Sequence, residues 1–347
     1  MGRHGAAARV LSVDPREALF DSDDLAPDLP VCDHYCGVEA RMRKSLALQA
    51  AMGPVFDVTL DCEDGAPIGG EAEHAHMVAE MVMSAANAFG RVGARVHPVD
   101  HASFADDVAT LVRRAGTRLA YLMVPKPRGA ADVALAASEV DRQLHANGLV
   151  RRIPLHALIE THGALQQVAA IAAHPRIESL SFGLMDFVSA HRGAVPVSAM
   201  SAAGQFTHPV VVRAKLEIAA ACHAHAKTPS HCVVTEFNDA TAIASAATRA
   251  SRELAYTRMW SIHPNQIRPI VEAFAPSAAE VEHAIEIIEA AQDAGWAPTR
   301  HRLAGRDSLH DRASYRYYWQ VLERAHRTGQ PLPVVVRQRF FETAPAA

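Results

Sequence analysis

Eight short apolar runs, each followed by a helix-length stretch, recur through the 347 residues, and this rhythm limits the folds open to the chain more than any other feature. The runs cover 31–35, 55–62, 93–99, 119–126, 153–160, 177–183, 231–237 and 257–264. Strands buried on both faces, as in parallel sheets, read as nearly continuous apolar segments of this kind. The stretches between them, such as "SFADDVATLVRRAG" and "GAADVALAASEVDRQLHANG", are rich in Ala, Leu and charged residues. Several close on a glycine, as helix C-termini do. Eight strands alternating with helices is the count of a (β/α)8 TIM barrel, and a doubly wound open sheet is the alternative that fits the same alternation. On the barrel reading residues 1–30 form an irregular N-terminal arm, 31–295 the catalytic barrel, and 296–347 a C-terminal helical extension.

Composition narrows the function classes. A formal net charge of -4 with acids and bases interspersed offers no basic face for nucleic acid. No apolar run reaches the roughly 18 residues of a membrane span, and the first twenty residues lack a signal-peptide core, so a cytoplasmic protein is expected. The five cysteines contain no CxxC pair, which points to reduced thiols. Among the 20 histidines, the two "HAH" triplets place their imidazoles two residues apart, on diverging sides of a helix, and read as surface residues.

The ends of the apolar runs carry the chemistry. Asp61, Glu63 and Asp64 close the second run, Arg95 and His97 the third, Lys126 the fourth and Glu160 the fifth. Asp186, Glu236 and His263 follow the last three, and His34 and Tyr35 close the first. In a TIM barrel those C-terminal ends converge on the active-site mouth. Glu160 and Asp186, on adjacent strands, are placed to share a hard cation, and two carboxylates plus water and substrate oxygens are a usual way to hold Mg²⁺. Such a cation can chelate a 2-oxo acid and polarise its carbonyl. Arg95 would then face the negative charge of an enolate formed as a carbon–carbon bond breaks or forms.

The ordered motifs "LDCEDG", "ARVHP", "VPKPRGAADV", "LIETHGAL", "LSFGLMDF" and "SIHPNQIRPIVEAFAPSAAEVEHA" resemble those of the HpcH/HpaI aldolase and citrate lyase β-subunit family, which includes the malyl-CoA and citramalyl-CoA lyases. The resemblance runs from about residue 31 to about 325. It implies a Mg²⁺-dependent lyase with Glu160 and Asp186 as metal ligands, Arg95 facing the enolate, and Glu63 and Asp64 orienting metal waters or Arg95. It also implies a homo-oligomer, trimer or hexamer, in which an aspartate of the C-terminal segment, here Asp311, completes the site, in relatives often that of a neighbouring subunit. The chain departs from the family where His97 stands for the usual asparagine and where the first strand reads "VCDHYCG". His34 and His97 are accordingly expected on substrate-facing ground, as is Lys126, for which pairing with Glu63 or Asp64 is the alternative.

The function expected is retro-aldol or retro-Claisen cleavage of a 3-hydroxyacyl compound such as a malyl- or citramalyl-CoA thioester. The reactants are a 2-oxo acid and an acyl group, with or without CoA. Two alternatives use the same barrel: an acyl-CoA thioesterase at the same metal site, and a catalytically silent barrel that binds an acyl-CoA or a partner protein.

Overall fold

The computed structural model describes residues 14–21, 26–303 and 306–342. These fall into two compact units, 26–274 and a second made of 14–21 with the described residues from 275 to 342.

The larger unit is a closed barrel of eight parallel strands in sequential order, which settles the choice between barrel and open sheet. The strands are β1 (Cys32–Cys36), β2 (Phe56–Asp61), β3 (Val92–Arg95), β4 (Leu122–Val124), β5 (Leu155–Ile159), β6 (Ile177–Phe182), β7 (Thr228–His231) and β8 (Arg258–Ser261). Seven of them fall within or against the expected apolar runs. The exception is β7, whose ladder residues "TPSH" include no large apolar side chain, while the apolar run 232–234 lies just beyond the strand end. Hydrophobicity alone therefore locates this strand about three residues late.

Strand alternation sorts side chains into an outer apolar layer and an inner polar one. In β2, Phe56, Val58 and Leu60 join the core that packs against the surrounding helices. The intervening Asp57 accepts from Arg258 Nη1 at 2.6 Å, and Thr59 Oγ1 donates to Asp33 at 2.7 Å. Arg258 is fully buried and also reaches Asp33 at 3.1 Å, so a guanidinium held between two carboxylates fills the barrel interior below the mouth. Nearer the mouth the interior turns apolar, with Tyr35, Met123, Leu158, Val233 and Trp260 in contact.

The smaller unit contains the helices Pro15–Leu19, Ala278–Asp293, Arg312–Arg327 and Val334–Phe340, and an antiparallel hairpin of β9 (Thr299–Leu303) and β10 (Arg306–His310). Two features differ from the sequence expectation. Ala278–Asp293, expected in the barrel domain, belongs here, because its apolar face of Val281, Ala284, Ile287, Ile288 and Ala291 packs with Tyr315, Trp319 and Leu322. The arm is not wholly irregular, since Pro15–Leu19 is helical and buries Leu19 in the same core; its residues 1–13 and 22–25 lie outside the described residues. Among the described residues, no helix is long and apolar enough to cross a membrane.

Candidate active site

Asp61 and Arg95 are register partners on β2 and β3, and at that step the guanidinium lies bidentate on the carboxylate, with Nε 2.7 Å from Oδ1. The same carboxylate caps the turn behind it by accepting the N–H groups of Glu63 at 2.9 Å and Gly65 at 2.8 Å. Only glycine fits at 65, since a Cβ there would stand 2.3 Å from Asp61 Oδ2. Burial pushes the Asp61 carboxyl's pKa up, but the guanidinium and the two N–H groups outweigh it and hold the group below its ordinary value. Glu63 takes Arg95 Nη1 at 3.0 Å, and the guanidinium stands 5.7 Å from the centre of the Tyr35 ring, itself stacked on Trp260 at 4.3 Å. Arg95 is thus held against two acids and an aromatic wall.

Lys126 occupies the end of β4 in a left-handed conformation, with φ at 48°. This turn aims its backbone N–H at Glu160 Oε1, 2.7 Å away. Its ammonium is divided between Glu63 at 2.6 Å and Asp64 at 2.7 Å. The side chain expected to touch substrate is therefore bonded to two acids of the mouth, one of which also holds Arg95. Asp64 meets Lys126 and not Arg95, so of the two acids only Glu63 has a direct hold on the arginine.

Five acids gather here around two cations, and the pairing leaves Glu160 and Asp186 over. Glu160 is buried, and among the described residues its only polar partner is the Lys126 N–H. Its pKa is raised to about 8, first by burial and next by the charge of Asp186. Asp186 lies in the first turn of the helix Leu184–Ser189, just past β6, and among the described residues its carboxylate accepts no hydrogen bond and pairs with no cation. Gly183 between them admits Glu160, because a Cβ there would be 2.4 Å from Glu160 Oε2. Two neighbouring carboxyl groups, one buried and one without a partner, form a donor set that fits a hard divalent cation.

The remaining site residues divide. His34 is buried, hydrogen-bonded through Nδ1 to Ser261 Oγ at 2.9 Å, and its pKa is lowered to about 4 mainly by burial, so it is a neutral imidazole near pH 7. It lines a cleft of about 610 Å³ together with Tyr35, Asp61, Arg95, Trp260 and His263. His97 is turned toward Asp107, which accepts from both its backbone N–H at 2.9 Å and its Nδ1 at 2.7 Å, and it does not line that cleft. Glu236 accepts the Ala202 N–H at 3.0 Å and so ties down the loop between β6 and β7. Asp311 lies in the smaller unit, where it is the N-cap of Arg312–Arg327 and accepts from Ala313 and Ser314 N–H. Sequence reasoning missed two cations. Arg41 and Lys44, one turn apart on the helix Glu39–Met52, line the same cleft and pair with no acid among the described residues. Their position just past β1, three residues apart, was the available signal.

A family model described as HpcH/HpaI aldolase/citrate lyase matches residues 41–264. The chain belongs to that family, and it is a carbon–carbon lyase. A citrate lyase structure from Burkholderia xenovorans is 53% identical and superposes with a TM-score of 0.80, covering 93% of this chain and 98% of that one. The L-malyl-CoA/beta-methylmalyl-CoA lyase of Cereibacter sphaeroides is 26% identical over 296 residues, 82% of this chain and 91% of the relative. The CitE protein of Mycobacterium tuberculosis, solved with magnesium, acetoacetate and coenzyme A, shares the fold at 20% identity with a TM-score of 0.65, over 86% of this chain and 98% of that one.

Proposed function

We propose that the barrel mouth cleaves, and in reverse forms, the carbon–carbon bond of a malyl- or citramalyl-type 3-hydroxyacyl thioester, using a divalent cation held by Glu160 and Asp186. The observation that carries this reading is the leftover pair of acids beside a rigidly held arginine. Bound Mg²⁺ supplies Lewis acidity toward the oxygens of the 2-oxo acid half. The magnesium complex of the M. tuberculosis relative agrees with that choice of ion.

The chain's own residues supply the rest. Arg95, fixed by Asp61 and Glu63 before substrate arrives, presents its positive charge where the enolate of the acyl half develops, and a preorganised donor of this kind contributes on the order of 3 kcal/mol. Lys126 neutralises Glu63 and Asp64 and, through its N–H, sets the rotamer of Glu160. Tyr35 and Trp260 form an apolar wall that shields the reacting atoms from water. Arg41 and Lys44, which pair with no acid among the described residues, suit the phosphates of a CoA carrier. His34, neutral in its pocket, contacts the acyl group. His97, held by Asp107, orders the loop after β3 and so supports substrate indirectly. Asp311 of a neighbouring copy moves the proton at the enolate carbon in a homo-oligomer, trimer or hexamer, and the enzyme works in the cytoplasm.

The experiment is product analysis by mass spectrometry. Wild type with Mg²⁺ and malyl-CoA or citramalyl-CoA is expected to release a 2-oxo acid and an acyl-CoA, with Glu160→Gln inactive. Free CoA with intact malate or citramalate would establish thioester hydrolysis instead, and ligand binding without any product would establish a silent barrel.

A further inference from the structure

The smaller unit gathers histidines that no step above uses. His283 and Glu286 lie three residues apart on one face of Ala278–Asp293, His301 comes from β9, and His310 closes β10. The donor atoms of His283, Glu286 and His301 all lie within 4.8 Å of one another. His301 Nε2 is 3.3 Å from Glu286 Oε2 and yet makes no hydrogen bond. That separation is close to the edge of a tetrahedron around zinc, about 3.4 Å for metal–nitrogen bonds of about 2.1 Å.

We propose that His283, Glu286 and His301 form a binding site for a zinc-like transition-metal dication that ties the β9–β10 hairpin to the helix Ala278–Asp293. An ordinary His301–Glu286 ion pair accounts for neither of the other two imidazoles. His283 bonds Tyr318 Oη through Nε2 at 3.1 Å, which leaves Nδ1 buried and without a hydrogen-bond partner. An outer hydroxyl on one ring nitrogen, fixing the tautomer and freeing the other, is how metal-bound histidines are oriented. His310, which is buried, repeats the pattern: its Nε2 meets Ser308 Oγ at 2.9 Å, and its Nδ1 is buried and unpartnered. Its ring lies 6.3 Å from that of His283 and 6.1 Å from that of His301, within reach of a fourth ligand position after a change of rotamer. Imidazole donors select zinc, cobalt or nickel over magnesium, which separates this site chemically from the carboxylate pair of the barrel.

The test uses the full chain carrying Glu160→Gln, to weaken the barrel pair, after removal of metals with a chelator. Calorimetric titration with Zn²⁺ is expected to show one ion per chain, bound at least about tenfold more tightly than in the further variants His283→Ala or Glu286→Ala. Glu286 is exposed, so its variant remains informative if replacing His283 disturbs the fold. Co²⁺ is expected to give the visible absorption of a tetrahedral complex, lost in His301→Ala, and excess Mg²⁺ is expected not to displace it. Zinc uptake unchanged in both His283→Ala and Glu286→Ala, no uptake at all, or equal competition by Mg²⁺ would each overturn the proposal.

Discussion

Arg95 and Glu160 show how the mouth divides its charge. Arg95 can serve a transition state because Asp61 and Glu63 have already taken up the cost of orienting it. Lysine could not span both acids and still present a planar donor, so Arg95→Lys is expected to lower kcat at least about tenfold with a smaller change in KM, measured by steady-state kinetics. Normal kcat in that variant would remove Arg95 from the chemistry. Glu160 behaves oppositely, as an acid kept from ionising: its carboxyl titrates at about 8 in the fold, against about 4.3 in an unfolded chain. An acid with a raised pKa contributes stability that is present below the unfolded value and is lost as pH rises through the folded one. Thermal melts in EDTA should therefore find Glu160→Gln more stable than wild type by at least about 2 °C at pH 9, with the gap shrinking toward pH 5. An equal gap at both pH values would contradict the assignment. The acids themselves were legible in the sequence because each follows an apolar run. Their pairing was legible only in part: Glu63 and Asp64 were readable as alternative partners of Lys126, whereas the clamp of Asp61 on Arg95 depends on strand register.

Elements place these residues by exclusion as much as by attraction. The turn from β6 into Leu184–Ser189 brings Gly183 so close to Glu160 that a methyl group cannot be accommodated without moving the carboxylate. Gly183→Ala is accordingly expected to weaken Mg²⁺ binding at least about tenfold in calorimetry, while far-ultraviolet circular dichroism stays that of the wild type. Unaltered affinity would mean that Glu160 is not held where the cation binds. The alternation of strands and helices was readable because parallel strands are buried on both faces. The polar interior was not, because in "VFDVTLD" the outer layer of Phe56, Val58 and Leu60 supplies the apolar signal while Asp57 and Thr59 turn inward to Arg258 and Asp33. The same reasoning explains β7, whose ladder carries almost no hydrophobic signal.

At the scale of the whole molecule, the open assignment is the tail. Asp311 has a structural task, capping Arg312–Arg327, and its exposed carboxylate is also available to another copy of the chain. Mixing Arg95→Ala with Asp311→Ala protein under conditions of verified subunit exchange is expected to restore part of the activity, since some mixed sites carry both groups intact. No recovery would leave Asp311 as a helix cap alone. The division between barrel and tail escaped sequence reading because Ala278–Asp293 continues the helical rhythm of the barrel, and only its packing partners Tyr315 and Trp319 reveal which core it serves. The most direct measurement is a crystal structure of the wild type grown with Mg²⁺ and pyruvate. One magnesium ion coordinated by both Glu160 and Asp186, with the 2-oxo acid's oxygens completing its shell and Arg95 at the open side, is the expected result. Pyruvate bound with no cation between those two carboxylates, or magnesium bound elsewhere, would contradict it.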